Sequence, residues 1–170
     1  CLAFDSWINN VIPDFSKINV LIVSLGNLGF KIALSLVERG ASVKIFGRNK
    51  SKLSNLKTTI DFIKSGKGKV DVVDENYDIE NIDLVVGASP GVPVISLRMI
   101  KKIKKSAIIV DLGNGTLFPE SINYLNNLNL KIFCISSEPG IWGWYEAHKH
   151  SELIFSNQKK KELDNGLTLI

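Results

Sequence analysis

Short apolar runs separated by glycines divide the chain into alternating elements. Val20-Leu21-Ile22-Val23 is an apolar run rich in β-branched residues with no polar alternation, the pattern of a strand buried on both faces. Phe30, Ala33, Leu34 and Val37 follow at helical spacing, and Gly40 marks a stop. Residues 42–46 read as a second strand. The spacing predicts a helix over 51–65, with Leu53, Leu56, Ile60 and Ile63 on one face and Gly66-Lys67-Gly68 closing it. Residues 69–73 form a short third strand, 74–81 an acidic polar loop, and 82–86 a fourth strand. A helix over 95–105 turns Leu97, Ile100 and Ile103 inward. A fifth strand at 107–111, a helix at 119–125 and a sixth strand at 130–135 complete the series. Strands alternating with helices, without repeats, imply an α/β fold: a doubly wound parallel sheet of about six strands with helices on both faces.

The two ends of the chain follow other patterns. Phe4, Trp7, Ile8 and Val11 have helical spacing, with Asp5 or Ser6 as cap and Pro13 as terminator. Residues 1–16 therefore read either as a linker helix from an upstream domain or as a terminal helix packed on the sheet. Residues 17–156 would form the main domain. Within them, 145–155 have helical character and carry His148 and His150, while Trp142 and Trp144 read as packing residues. Residues 157–170 read as a polar, frayed tail.

The first candidate site is Ser24-Leu25-Gly26-Asn27-Leu28-Gly29, lying between the first strand and its helix. That context is what a dinucleotide fingerprint needs. Gly26 would let the backbone approach a pyrophosphate, and Gly29 would let the helix pack close to the strand. The free N–H groups and dipole of the helix start, at Asn27 and Leu28, would face the phosphates. Ser24 stands where the fingerprint has its first glycine, the residue of the tight turn. The alternative is an ordinary strand-to-helix turn. With this turn in place, the six-strand order fits a Rossmann fold.

The second candidate site closes the second strand: Gly47-Arg48-Asn49-Lys50-Ser51-Lys52. An Asp or Glu about twenty residues beyond the glycines accepts from the ribose hydroxyls of NAD. None lies here, whereas Arg48 with Lys50 or Lys52 would attract a 2′-phosphate, and Arg48 can stack on adenine. NADP is therefore the expected cofactor, ahead of NAD. A solvated basic loop is the alternative.

Two further strand ends border the same cleft. Gly87-Ala88-Ser89-Pro90-Gly91-Val92-Pro93-Val94 would form a close wall against the nicotinamide ribose, or simply a turn. Asp111-Leu112-Gly113-Asn114 would offer Asp111 or Asn114 to the carboxamide or a substrate, or else cap the next helix. His148 and His150 are two apart, which places them on different sides of a helix and suits no shared metal. No catalytic residue is assigned.

Composition adds bounds. The 170 residues are 45% hydrophobic and 22% charged, ordinary values for one globular domain with a real core. A net charge of +4 suits an anionic small ligand without implying nucleic acid. Cys1 and Cys134 form no disulfide framework, which points to a reducing, cytoplasmic setting. No apolar run reaches membrane-spanning length. A first residue other than Met suggests a piece of a longer protein.

The glycine turn at 23–29, the Gly47–Lys52 loop, Asp83-Leu84-Val85-Val86-Gly87-Ala88 and Ile109-Val110-Asp111-Leu112-Gly113 occur together. The set resembles the NADP-binding domains of the shikimate dehydrogenase and methylenetetrahydrofolate dehydrogenase type, over about residues 17–135. The resemblance implies that Arg48 and Lys52 take the 2′-phosphate and that the 87–93 loop flanks the nicotinamide. It implies an upstream substrate domain carrying the catalytic lysine, a small-molecule substrate, and hydride transfer by the cofactor. A homodimer is compatible with it. A non-catalytic nucleotide-sensing domain is the alternative from another class; a methyltransferase is a third.

Overall fold

In the computed structural model, residues 2–128, 130–135, 161–162 and 168–169 are described. They fall in two units, divided between Ser136 and Ser137. In the second unit, β7 (Lys161–Glu162) pairs antiparallel with β8 (Thr168–Leu169). The expectations for Trp142, Trp144, His148 and His150 fall outside the described residues.

The first unit is built on six strands: β1 (Asn19–Val23), β2 (Ser42–Phe46), β3 (Lys69–Val72), β4 (Leu84–Gly87), β5 (Ile108–Asp111) and β6 (Ile132–Cys134). They lie in the order β3-β2-β1-β4-β5-β6, and every pairing is parallel. This is the doubly wound Rossmann arrangement, with its topological switch between β1 and β4. Val20, Ile22, Val43 and Ile45 face one side, under α1 (Leu2–Val11), α2 (Asn27–Glu38) and α3 (Lys50–Ile63). Leu21, Val23, Val85 and Ile109 face the other, under α4 (Leu97–Ile100), α5 (Pro119–Asn127) and Ile79 and Ile82 of the β3–β4 connection. Helices therefore cover both faces.

The leading helix packs on the sheet. Phe4 and Ile8 are buried in the same cluster as β1 and α2, and the Trp7 ring packs tilted against that of Phe133 of β6, centroids 4.9 Å apart. The helix begins at Leu2, so neither Asp5 nor Ser6 caps it. The Asp5 carboxylate instead accepts from the Ser35 hydroxyl at 2.7 Å and from Arg39 at 3.0 Å, tying α1 to α2. The demand of α2 for a partner outcompetes a local cap.

Three helical expectations change. The helix expected over 95–105 is a single turn, α4, capped by Ser96. Lys101, Lys102, Lys104 and Lys105 crowd like charges at helical spacing, which disfavours continuation. Leaving the helix lets Ile103 and Ala107 enter the core and lets Lys104 pair with Asp83 at the start of β4. Leu97 is only half-buried. In α3, Leu53 and Ile60 are buried but Ile63 is 46% exposed, because the helix ends there. The chain returns past Gly66 and Gly68, where any Cβ would overlap the backbone of Glu38 and Val37. The Glu38 carboxylate accepts from the N–H groups of Ser65 and Gly66, both at 2.8 Å.

Ile8 is fully buried, so Ile8→Ala removes core contacts and leaves a cavity. Urea unfolding should show a loss of about 2–4 kcal/mol. A helix serving only as a linker would show none.

Candidate functional site

A parallel sheet gathers the carboxyl ends of its strands on one edge, and four of those ends carry the candidate residues. At β1 the chain turns through Ser24, whose φ is +72. A left-handed backbone suits glycine, which explains why the fingerprint has glycine here; the serine adopts it at some cost. The Ser24 N–H donates to the Phe46 carbonyl at 2.8 Å, so the turn stays attached to β2.

Gly26 then caps α2 with no side-chain hydrogen bond. The first-turn N–H groups, including those of Asn27 and Leu28, have no intrahelical partner and suit anionic oxygens. A Cβ placed on Gly26 would meet nothing within 4 Å, so the space before the helix start is open. A Cβ on Gly29 would stand 2.9 Å from the Ser24 carbonyl oxygen and 3.3 Å from the Ala88 Cβ. The two glycines therefore act differently: Gly26 borders open space and Gly29 seats helix on strand.

Ser24, Gly47 and Arg48 come together with Val92, Pro93, Val94 and Phe118 around a cavity of about 250 Å³. Arg48 is exposed and takes part in none of the ion pairs among the described residues. The Asn49 side chain caps α3 by accepting from the Lys52 N–H at 2.9 Å. Lys52 follows on the exposed first turn of α3.

The wall after β4 is partly structural. Ala88 and Ser89 are buried, while Pro90 and Gly91 are exposed. Gly91 has φ +62, and its N–H donates to the Gly113 carbonyl at 2.8 Å. Gly113 lies so close to Ser89 that a Cβ would overlap the Ser89 carbonyl, so Gly113 serves loop-to-loop packing. Asp111 is buried, and its carboxylate accepts from the N–H groups of Gly113, Gly115 and Thr116 at 3.0, 2.8 and 3.0 Å. A carboxylate so used shapes the loop after β5. Thr116 packs over Gly87, and its hydroxyl is buried without a partner among the described residues.

Sequence reading missed Phe118 and the loop after β3. Arg48 and Lys50 share a cavity of about 280 Å³ with Asp74, Glu75 and Asn76. The acids were visible in sequence; their approach to Arg48 follows from the β2–β3 pairing. Among the described residues no cluster of His, Cys, Asp or Glu could hold a metal. No described helix is long and apolar enough to cross a membrane.

The profile of the NAD binding domain of 6-phosphogluconate dehydrogenase matches residues 19–128. The chain belongs to that NAD-binding family. No curated protein sequence matches it significantly. Solved structures share the fold. Dipicolinate synthase A chain from Bacillus subtilis has a TM-score of 0.64 at 21% identity, over 89% of this chain and 51% of that one. Quinate dehydrogenase from Corynebacterium glutamicum, solved with NAD, has 0.61 at 20% identity, over 76% and 48%. Shikimate dehydrogenase from Aquifex aeolicus has 0.59 at 20% identity, over 78% and 48%. The chain thus spans about half the length of these structures.

Three substitutions separate the roles of the turn. Ser24→Gly should raise stability by about 1 kcal/mol in urea unfolding, because the left-handed strain is relieved. Gly26→Val should fold yet fail to bind NAD(P) by calorimetry, whereas Gly29→Val should lose its thermal transition or lower it sharply.

Proposed function

We propose that this chain is the cofactor domain of an NADP-dependent oxidoreductase. The observation that carries the reading is the open, uncapped helix start at Gly26 beside an exposed Arg48 at the end of β2. Asn27, Leu28 and Gly29 would offer N–H groups to the pyrophosphate, and Arg48, with Lys52, would take the 2′-phosphate. The loop at 88–94 would flank the nicotinamide half. The cofactor supplies hydride chemistry when bound; the chain binds it, orients it and shields one side from water.

The substrate, a small molecule, would come from another domain, the arrangement that suits a chain spanning half of its structural relatives. A homodimer and a cytoplasmic setting, with Cys134 a free exposed thiol, fit the same reading. A nucleotide-sensing domain is the second reading. It is favoured by Asp111, whose carboxylate is turned to backbone N–H groups and away from acid–base work.

Cofactor choice is the direct test. A charge-assisted Arg contact to phosphate contributes about 1.5–3 kcal/mol, so Arg48→Ala should weaken NADPH about tenfold or more and leave NADH within about twofold. Equal weakening of both in calorimetric titrations would show the basic loop to be ordinary surface.

A further inference from the structure

Arg48 does not stand in a purely basic pocket. β2 and β3 run parallel with Ile45 opposite Val72, and the Val73 N–H donates to the Ile45 carbonyl at 3.0 Å. The loops that leave these two strands are therefore neighbours by construction. One brings Arg48 and Lys50, the other Asp74 and Glu75, to a single cavity of about 280 Å³.

The acidic loop is a formed turn. The Asp74 carboxylate accepts from the Asn76 N–H at 2.8 Å, and the Tyr77 N–H donates to the Asp74 carbonyl at 3.2 Å. Lys44, the cation on the adjoining strand face, is already paired with Asp71 at 2.6 Å. Arg98 and Lys102 border Asp74 and Glu75 from a second cavity of about 220 Å³. Both are exposed, form no ion pair with them, and line this second cavity rather than the one that holds Arg48 and Lys50.

We propose that Asp74 and Glu75 are specificity-determining residues that oppose Arg48 and Lys50 around the adenosine ribose and narrow the preference for a 2′-phosphate. The inference rests on the cofactor reading above. A 2′-phosphate carries roughly two negative charges near neutral pH. Entering a cavity whose four charged side chains sum to zero, it gains far less than the two cations alone would give. The same carboxylates can accept from free ribose hydroxyls, which favours NADH. The domain thereby keeps a preference for NADPH, but a narrow one.

The test is titration of the 170-residue protein with NADPH and NADH, comparing wild type with Asp74→Asn/Glu75→Gln. Asn at position 74 keeps an acceptor for the Asn76 N–H, so the turn survives; Glu75→Gln alone leaves that bond untouched. Wild type should prefer NADPH by less than about tenfold, and the double variant should tighten NADPH about tenfold without tightening NADH. The single Glu75→Gln variant should move the ratio about threefold in the same direction. Raising salt from about 0.05 to 0.3 M should erode the new preference while changing the wild-type ratio little.

A wild-type preference of about a hundredfold, or a ratio unmoved in both variants, would overturn the acidic wall while leaving the cofactor reading intact. Wild type that binds neither cofactor would overturn both.

Discussion

The contact between Gly29 and the Ser24 carbonyl sets how closely α2 lies on the sheet. β1 is a central strand, and α2 covers it and its neighbour β2 through Ile32, Ala33, Leu36 and Val37. To begin that coverage directly after β1, the chain has to reverse within three residues. It does so by turning left-handed at Ser24 and by dispensing with a side chain at Gly29. The same reversal aims the free N–H groups of the helix start beyond the strand ends. Packing and binding geometry at this turn thus share one cause, which is why the fingerprint is recognisable with its first glycine replaced.

The other side of the cleft depends on a buried carboxylate. Asp111 binds three N–H groups of its own following loop. That loop in turn accepts from Gly91, Val94 and Ile95 through the carbonyls of Gly113 and Thr116. The backbone after β4 is therefore held by the backbone after β5, and the small residues at Ser89 and Gly113 exist to let the two touch. A polar residue at a strand end can hold the backbone that follows it in shape. Asp111 and Asn49 both do this, one by folding a loop and one by capping a helix.

The charge around the Arg48 cavity comes from two chain segments that are distant in sequence. The basic loop after β2 and the acidic turn after β3 are joined only by the β2–β3 pairing. Neither segment alone defines the charge that a phosphate would meet. The missing crossover helix between β3 and β4 leaves this region walled by a loop, with Tyr77 and Ile79 laid over the sheet.

Much of the architecture is determined locally. Unbroken apolar runs such as Val20–Val23 can be satisfied only inside a two-sided sheet, and a strand, turn and helix carrying Gly26 and Gly29 has few ways to fold. Those features made the strands, the sheet type and the glycine turn legible from residues alone. Periodicity failed where tertiary partners outweighed it. It extended α4 through four lysines because it could not see Asp83 waiting for Lys104, and it placed Ile63 inward because it could not see α3 ending. It left the leading helix undecided, because a helical face shows that something is covered and not what covers it; Phe133 and the α1–α2 contacts decided that. The pocket's charge balance was out of reach for the same reason. Charge acts through space, and only the parallel pairing of β2 with β3 sets Asp74 and Glu75 beside Arg48.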